Sequence, residues 1–270
     1  MKLRPLGVYA FLYLAFLYVP VLFLPIFSFN DSAIVAFPLK GITTQWYGEL
    51  WRNDTMHGAL WNSLKVGVAS SVVATILGIC GARALTRYRF PAKAGIAALI
   101  MLPLVLPEII IAISLLVVLL QLGFDLSLLS VALGHILMAV PFSIAVLSSS
   151  FEGFDRSLEE ASLDLGEGPA VTFFRVTLPI VAPGILSSLL ITFTISLDEF
   201  IVAFFLSGTE PTLPIYIWSQ LRFPGKLPHV LALGSVLLVA SFLLLSVGEV
   251  LRRRAVRRAG AGASASGGFL

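Results

Sequence analysis

Six stretches of the chain are apolar for long enough to cross a bilayer as helices, at about residues 7–29, 62–84, 95–121, 127–149, 185–206 and 230–251. A spanning helix needs roughly 20 such residues. Polar positions gather between these runs, so the pattern predicts an all-α membrane protein with six transmembrane helices in a single domain, without an internal repeat or a dividing linker. The first run follows Lys2 and Arg4 in the manner of a signal peptide. It continues past twenty residues through Pro20 and Pro25 without a small-residue cleavage site, and is expected to remain as a span.

The longest polar interruption, about residues 150–184, has a pattern of its own. Leu158, Ala161, Ser162 and Leu165 recur at i, i+3, i+4 and i+7, one face of a short helix, with Glu159, Glu160 and Asp164 elsewhere around it. Asp155 suits the start of that helix and Gly166 its end. Pro169 suits the first turn of a second helix carrying Val171, Phe174 and Arg175 and stopping near Pro179. The expectation is a helix, a glycine corner and a helix at the membrane surface.

Within the apolar runs the polar residues are few, which makes each informative. Ser70, Ala74, Gly78 and Ala82 recur every four residues, a small-residue stripe that lets another helix approach closely. Pro103 and Pro107 precede Glu108 in the third run and bend a helix by freeing backbone carbonyls. His135 in the fourth run is read as a hydrogen-bonded core histidine. In the fifth run Asp198 and Glu199 lie side by side, and carboxylates at such depth face a bundle interior or a water-filled path. Successive helical residues point about 100° apart, so one acid is expected to face a path while the other caps a break or pairs with a neighbour. Trp46, Tyr47, Trp51 and Trp61 occupy the connection from Asn30 to Trp61 as candidate interfacial anchors. Glu249, one turn from the Arg252 cluster, reads as a helix-end ion pair, and residues 259–270 as a disordered tail.

Composition excludes a soluble fold: the 270 residues are 58% hydrophobic and 12% charged, against about 25% charged in soluble domains. The net charge of +3 does not indicate nucleic acid, because the basic residues are distributed by side. Thirteen of the 18, including Arg83, Arg87, Arg89, Lys93 and the cluster from Arg252 to Arg258, fall on the side of both termini. Basic residues accumulate in cytoplasmic connections, so both termini and the 150–184 loop are expected to be cytoplasmic in a multi-pass protein. One cysteine, Cys80, precludes an intrachain disulfide. No phosphate-binding G-x-x-x-x-G-K-[ST], no H-E-x-x-H and no G-x-S-x-G is present, so neither a catalytic residue nor a metal site is expected. Any ATP and Mg would be held by another subunit.

Glu160-Ala161-Ser162, Gly166, Val176, Leu178 and Pro179 resemble the E-A-A-x3-G-x9-I-x-L-P loop of permease subunits of binding-protein-dependent ABC importers. Ser162 replaces an alanine and Val176 an isoleucine of that pattern. The resemblance implies a MetI-like type I importer fold in a bacterial inner membrane. It also implies partners: a homologous second permease, two copies of a cytoplasmic ATPase and an external solute-binding protein. Glu160, Ala161, Ser162, Asp164, Gly166, Val176, Leu178 and Pro179 would then form the loop that docks on the ATPase. Thr43-Thr44-Gln45-Trp46-Tyr47, Arg87-Tyr88-Arg89-Phe90, the run from Glu108 to Leu116, Gly153-Phe154-Asp155 and Ser196-Leu197-Asp198-Glu199 look like the spermidine/putrescine branch. Glu108, Asp198 and Glu199 are the candidate substrate-pathway residues. Iron(III) or opine import by the same class of machine, and a proton-coupled secondary transporter, are the alternatives; the second leaves the loop unexplained.

Overall fold

The structure, a computed structural model, describes residues 5–243 and Ser246. Glu249, the Arg252 cluster, the tail and the end of the sixth predicted span lie outside the described residues, as do Lys2 and Arg4. The chain divides into two compact units, residues 1–53 with 219–270, and residues 54–218. No strand occurs among the described residues; a single antiparallel bridge joins Asn30 and Ile42.

In the first unit α1, Pro5–Ser28, reaches about 36 Å at 1.5 Å per residue, enough to cross the roughly 30 Å hydrocarbon layer. Its apolar side chains from Leu6 to Phe16 are almost all exposed, as a helix facing lipid or another subunit requires. A short helix α2, Gln45–Trp51, follows. Two of the predicted anchors are internal pins instead. Trp46 Nε1 donates to the Asn30 carbonyl at 2.9 Å, and the Tyr47 hydroxyl bonds Ser28 Oγ at 2.6 Å. Trp51 and Trp61 are exposed.

The second unit opens with α3, Asp54–Arg87, which begins eight residues before the apolar run and at about 51 Å outreaches the hydrocarbon. The third predicted span is broken: Lys93–Leu104, made of α4, Lys93–Met101, and a 3-10 turn, meets α5, Glu108–Gln121, at 102°. Pro103 and Pro107 bracket the bend, as expected of residues that remove backbone donors. The arms reach only about 18 and 21 Å, so neither crosses the membrane alone. Next come α6, Leu128–Glu152, then α7, Ser157–Asp164, and α8, Pro169–Thr172.

Contrary to expectation, the helix that starts at Pro169 does not stop near Pro179. It passes through a π-helical turn, Phe173–Thr177, into α9, Leu178–Asp198. A proline ring clashes with the carbonyl four residues back in a regular α-helix, and the wider turn just before Pro179 relieves that clash. The fifth predicted span differs too, since α9 ends at Asp198 and α10, Ile201–Leu206, starts after a break. The connection beyond it, read as loop, contains α11, Leu213–Leu221. Its start is fixed by Ser63 Oγ, which accepts the Leu213 N–H at 2.8 Å, and by Asn62, which donates to the Pro211 carbonyl. The last helix, α12, Pro224–Leu243, returns to the first unit. With the bent pair counted once, the described residues hold six apolar segments long enough to span.

The core of the second unit is α3 packed on α6 and α9, with α10 on α5 and α6. The small-residue stripe is the seam: Ser70, Ala74 and Ala82 are fully buried, and Ser70 donates to the Ala132 carbonyl on α6. A β-carbon on Gly78 would collide with Ser143 Oγ of α6. Polar satisfaction across the seam comes from Ser188 Oγ, bonded to Ser143 Oγ at 2.7 Å and Thr75 Oγ1 at 3.2 Å. His135 is buried, its Nδ1 at 2.7 Å from Ser196 Oγ, the core histidine expected.

Gly78→Val is expected to destabilise the protein by about 1–3 kcal/mol, the usual range for overpacking, read as a lower thermal midpoint in detergent. Gly58→Ala, also on α3 but with no atom within 4 Å of the added carbon, should leave the midpoint unchanged or slightly raised.

Candidate functional site

The polar loop is built from its two ends. At the start, Asp155 Oδ1 accepts the Ser157 N–H at 2.9 Å, and the Ser157 backbone and hydroxyl hold this carboxyl below the usual carboxylate range. At the end of α7 the Glu167 N–H reaches the Ser162 carbonyl and the Gly166 N–H the Leu163 carbonyl, closing the last turn. That closure needs a left-handed residue, and Gly166 has φ +91°. Ser162 Oγ lies 3.0 Å from Thr172 Oγ1, and Arg175 pairs with Glu167 at 3.2 Å, so both sides of the corner are tied.

Several apolar side chains of α7 and its end are open to the surroundings: Leu158, Leu163 and Leu165 are exposed, Leu165 by 86%. Ala161, Asp164 and Gly166 share this exposure. Glu160 is exposed as well and pairs with Arg156 one turn back at 3.1 Å; such a solvent-exposed pair holds a side chain weakly. Val176 faces inward against the buried cluster of Ala82, Leu147, Phe151, Phe154 and Val181, and Leu178 is half-buried. Those two positions serve packing, while Pro179 is exposed on the continuous helix.

Sequence reasoning passed over the inner side of α7. Glu159, its side chain only 13% exposed, accepts the Thr177 hydroxyl at 2.6 Å and lies 3.7 Å from Arg83 and 3.9 Å from Arg87 at the end of α3. The available signal was the i, i+4 spacing of Arg83 and Arg87, which puts two cations on one face of a helix end. Read only as orientation charges, they were not matched to an acid.

The acidic residues occupy the two breaks. Glu108 is the first residue of α5 and exposed; Asp198 ends α9 and is exposed; Glu199 is half-buried between α9 and α10. Glu199 caps the break, its Oε1 accepting the Val202 N–H at 3.0 Å. On α5, which Glu108 begins, packs α10, which follows the break at Glu199. Phe200 follows directly, its ring 5.5 Å from each of the exposed rings of Phe204 and Trp218. The arrangement offers carboxylates beside an aromatic surface, with Glu108 and Glu199 at helix starts where the backbone dipole favours negative charge and Asp198 at a helix end where it does not.

Residues 70–257 match the family described as binding-protein-dependent transport system inner membrane component. The putrescine transport system permease protein PotI of Escherichia coli (strain K12) is 37% identical over 249 residues, covering 87% of this chain and 88% of that protein. The spermidine/putrescine transport system permease protein PotC of the same strain is 34% identical over 248 residues, covering 92% and 91%. Both are permeases rather than enzymes, in line with the missing phosphate-binding loop. In fold, the chain resembles a bacterial alginate ABC transporter in complex with alginate pentasaccharide-bound periplasmic protein, with a TM-score of 0.70 over 91% of this chain and 94% of that one at 20% identity.

Glu199→Ala removes the acceptor for the Val202 N–H and should cost about 1 kcal/mol or more, as lost caps do. Glu199→Gln keeps a carbonyl oxygen there and should retain the wild-type thermal midpoint; equal losses in both variants would mean that the charge, not the cap, holds the break.

Proposed function

Because the chain belongs to the family of inner-membrane components of binding-protein-dependent transport systems, we propose that it forms half of the translocation pathway of an ABC importer for polyamines. On this reading a homologous second permease supplies the other half, two copies of an ATPase bind ATP and Mg on the cytoplasmic side, and an external binding protein delivers the substrate. Both termini and the 150–184 loop face the cytoplasm; the bias of basic residues toward that side supports this orientation. Closure of the ATPase dimer displaces α7 and opens the pathway outward, and hydrolysis resets it, an alternation between two populated states. The exposed leucines, Ala161 and Glu160 are the surface offered to the ATPase, and Gly166 fixes its corner.

The observation that carries the substrate reading is the pairing of two broken helices at Glu108 and Glu199, with Asp198 exposed and Phe200 and Trp218 alongside. A polyamine is a flexible apolar chain bearing ammonium groups. Carboxylates replace water around the ammonium at a constriction, and aromatic faces accept both the cation and the methylenes. The names of PotI and PotC point to the same substrates. Since an external receptor selects the substrate, these acids should set rate more than selectivity.

The test is uptake of radiolabelled putrescine and spermidine into proteoliposomes holding the full complex, its external receptor and internal ATP. Wild type should accumulate at least one of them, and Asp198→Asn with intact assembly should reduce uptake. Receptor-stimulated ATP hydrolysis without uptake of either polyamine would overturn the substrate while leaving the importer. Gly166→Val, which forces a β-branched residue into a left-handed conformation costing about 1–2 kcal/mol, should insert normally yet lose transport; normal transport with normal receptor-stimulated hydrolysis would remove the coupling role of the corner.

A further inference from the structure

Of the helices packed beneath the polar loop, α3 alone has no short covalent route to it: α6 runs into α7, and α8 runs on into α9. The end of α3 meets the loop through an apolar cluster, Ile79 and Ala82 with Phe154 and Val176, and beside it through a polar contact. Glu159 lies 3.7 Å from Arg83 Nη2 and 3.9 Å from Arg87 Nε, and it accepts the hydroxyl of Thr177, itself buried in the turn that leads into α9. The arginines are held independently of the carboxylate. Arg83 lies over the Phe173 ring at 4.5 Å, and Arg87 lies over the Phe154 ring at 5.1 Å while donating to the Phe154 carbonyl at 3.2 Å. Stacking and a backbone bond fix two guanidinium planes between α3 and the parts of the loop that flank α7, and Glu159 is the α7 side chain that pairs with both.

The bridge also has slack. Arg87 Nε is buried and has no hydrogen-bond partner, although a charge-assisted N–H···O bond closes at about 2.7–2.9 Å. A displacement of about 1 Å would convert the present 3.9 Å contact into such a bond. Separation, by contrast, removes the ion pairing from three mostly buried side chains, which is unfavourable. The contact tolerates tightening and resists opening, as a strut between moving helices must.

We propose, resting on the coupling role of the loop given above, that Glu159 is the positioning residue that ties α3 to the coupling loop, so that displacement of α7 is carried into α3 as well as α9. The readout is the stimulation factor, the ratio of ATP hydrolysis by the reconstituted full complex with and without its external binding protein. This ratio does not depend on which solute is carried. Poor assembly alone lowers both rates and leaves the ratio unmoved.

Glu159→Gln preserves shape and an acceptor for Thr177 but removes the charge, and should lower the ratio by about five-fold or more, the factor that about 1 kcal/mol of lost coupling gives. Arg83→Gln with Arg87→Gln should lower it comparably, and adding Glu159→Gln to that pair should bring no further loss, because the three act as one unit. A wild-type ratio in Glu159→Gln, or losses that multiply in the triple variant, overturns the proposal. Should Glu159→Gln fail to assemble, Arg87→Lys decides: it keeps the positive charge but loses the planar stack and the second donor, and an unchanged ratio there overturns the strut equally. A normal ratio and normal transport in Gly166→Val would count against the loop reading itself; an uncoupled Gly166→Val beside a normal Glu159→Gln counts against the strut alone.

Discussion

In hydrocarbon, every backbone N–H and C=O has to find a partner inside the protein, and the rest of this structure is arranged around the two places where the helices stop satisfying that demand. One is the stretch between the 3-10 turn and α5, where Pro107 lacks an N–H of its own. The other is Glu199, whose backbone is extended at φ −69° and ψ 112°. Each break is completed from within the chain: the Pro107 carbonyl accepts from Ile110 at the start of α5, and the Glu199 carboxylate accepts from Val202. α10, which follows the second break, packs on α5, which follows the first. The same demand accounts for the acid at the second break, Glu199. A helix start needs acceptors, and a carboxylate supplies them while meeting the positive end of the backbone dipole.

The breaks are held by a scaffold whose rigidity comes from small residues. Along α3 the stripe from Ser70 to Ala82 lets α6 approach until Ser143 would collide with a β-carbon at Gly78, and the hydroxyls of Thr75, Ser143 and Ser188 bond one another across the gap. Close approach substitutes dispersion contacts for the hydrophobic drive that lipid cannot provide between helices. Near the breaks the same device recurs, since Gly134 of α6 leaves no room for a β-carbon against Val202 and Leu206 of α10.

The sequence made the apolar runs, the small-residue stripe, the bend at Pro103 and Pro107 and the buried His135 legible, because each is local: run length, four-residue spacing, a missing donor, one polar group among apolar ones. It did not show where helices end. Asp198 and Glu199 sit inside a run apolar enough to read as one helix; a break capped by one of them was one of two readings of the pair, and the bond from the Val202 N–H to Glu199 selects it. Pro179 was misread in the opposite direction, because a proline stops a regular helix and a π-helical turn is not visible in apolar periodicity. In the loop, Gly166 was readable from its position after α7, whereas Glu159 was not. Its significance depends on Arg83 and Arg87, more than seventy residues earlier, and a contact at that separation leaves no periodic trace.

That same π-helical turn joins the two candidate regions. Because the helix from Pro169 continues through it to Asp198, a single element about 45 Å long runs from the polar loop to the acidic break. A helix resists bending over a few turns far more than it resists displacement as a body, so motion imposed at Pro169 arrives at Asp198 unless the helix gives way between them. Two places interrupt its regular bonding, the π-helical turn and Pro183 inside α9. Thr177, buried in that turn, donates to Glu159 and thereby anchors it to the two arginines of α3. Of the two interruptions, the one nearer the polar loop is therefore braced, so that under the coupling role proposed above a displacement of α7 would bear on this turn directly rather than bend it freely.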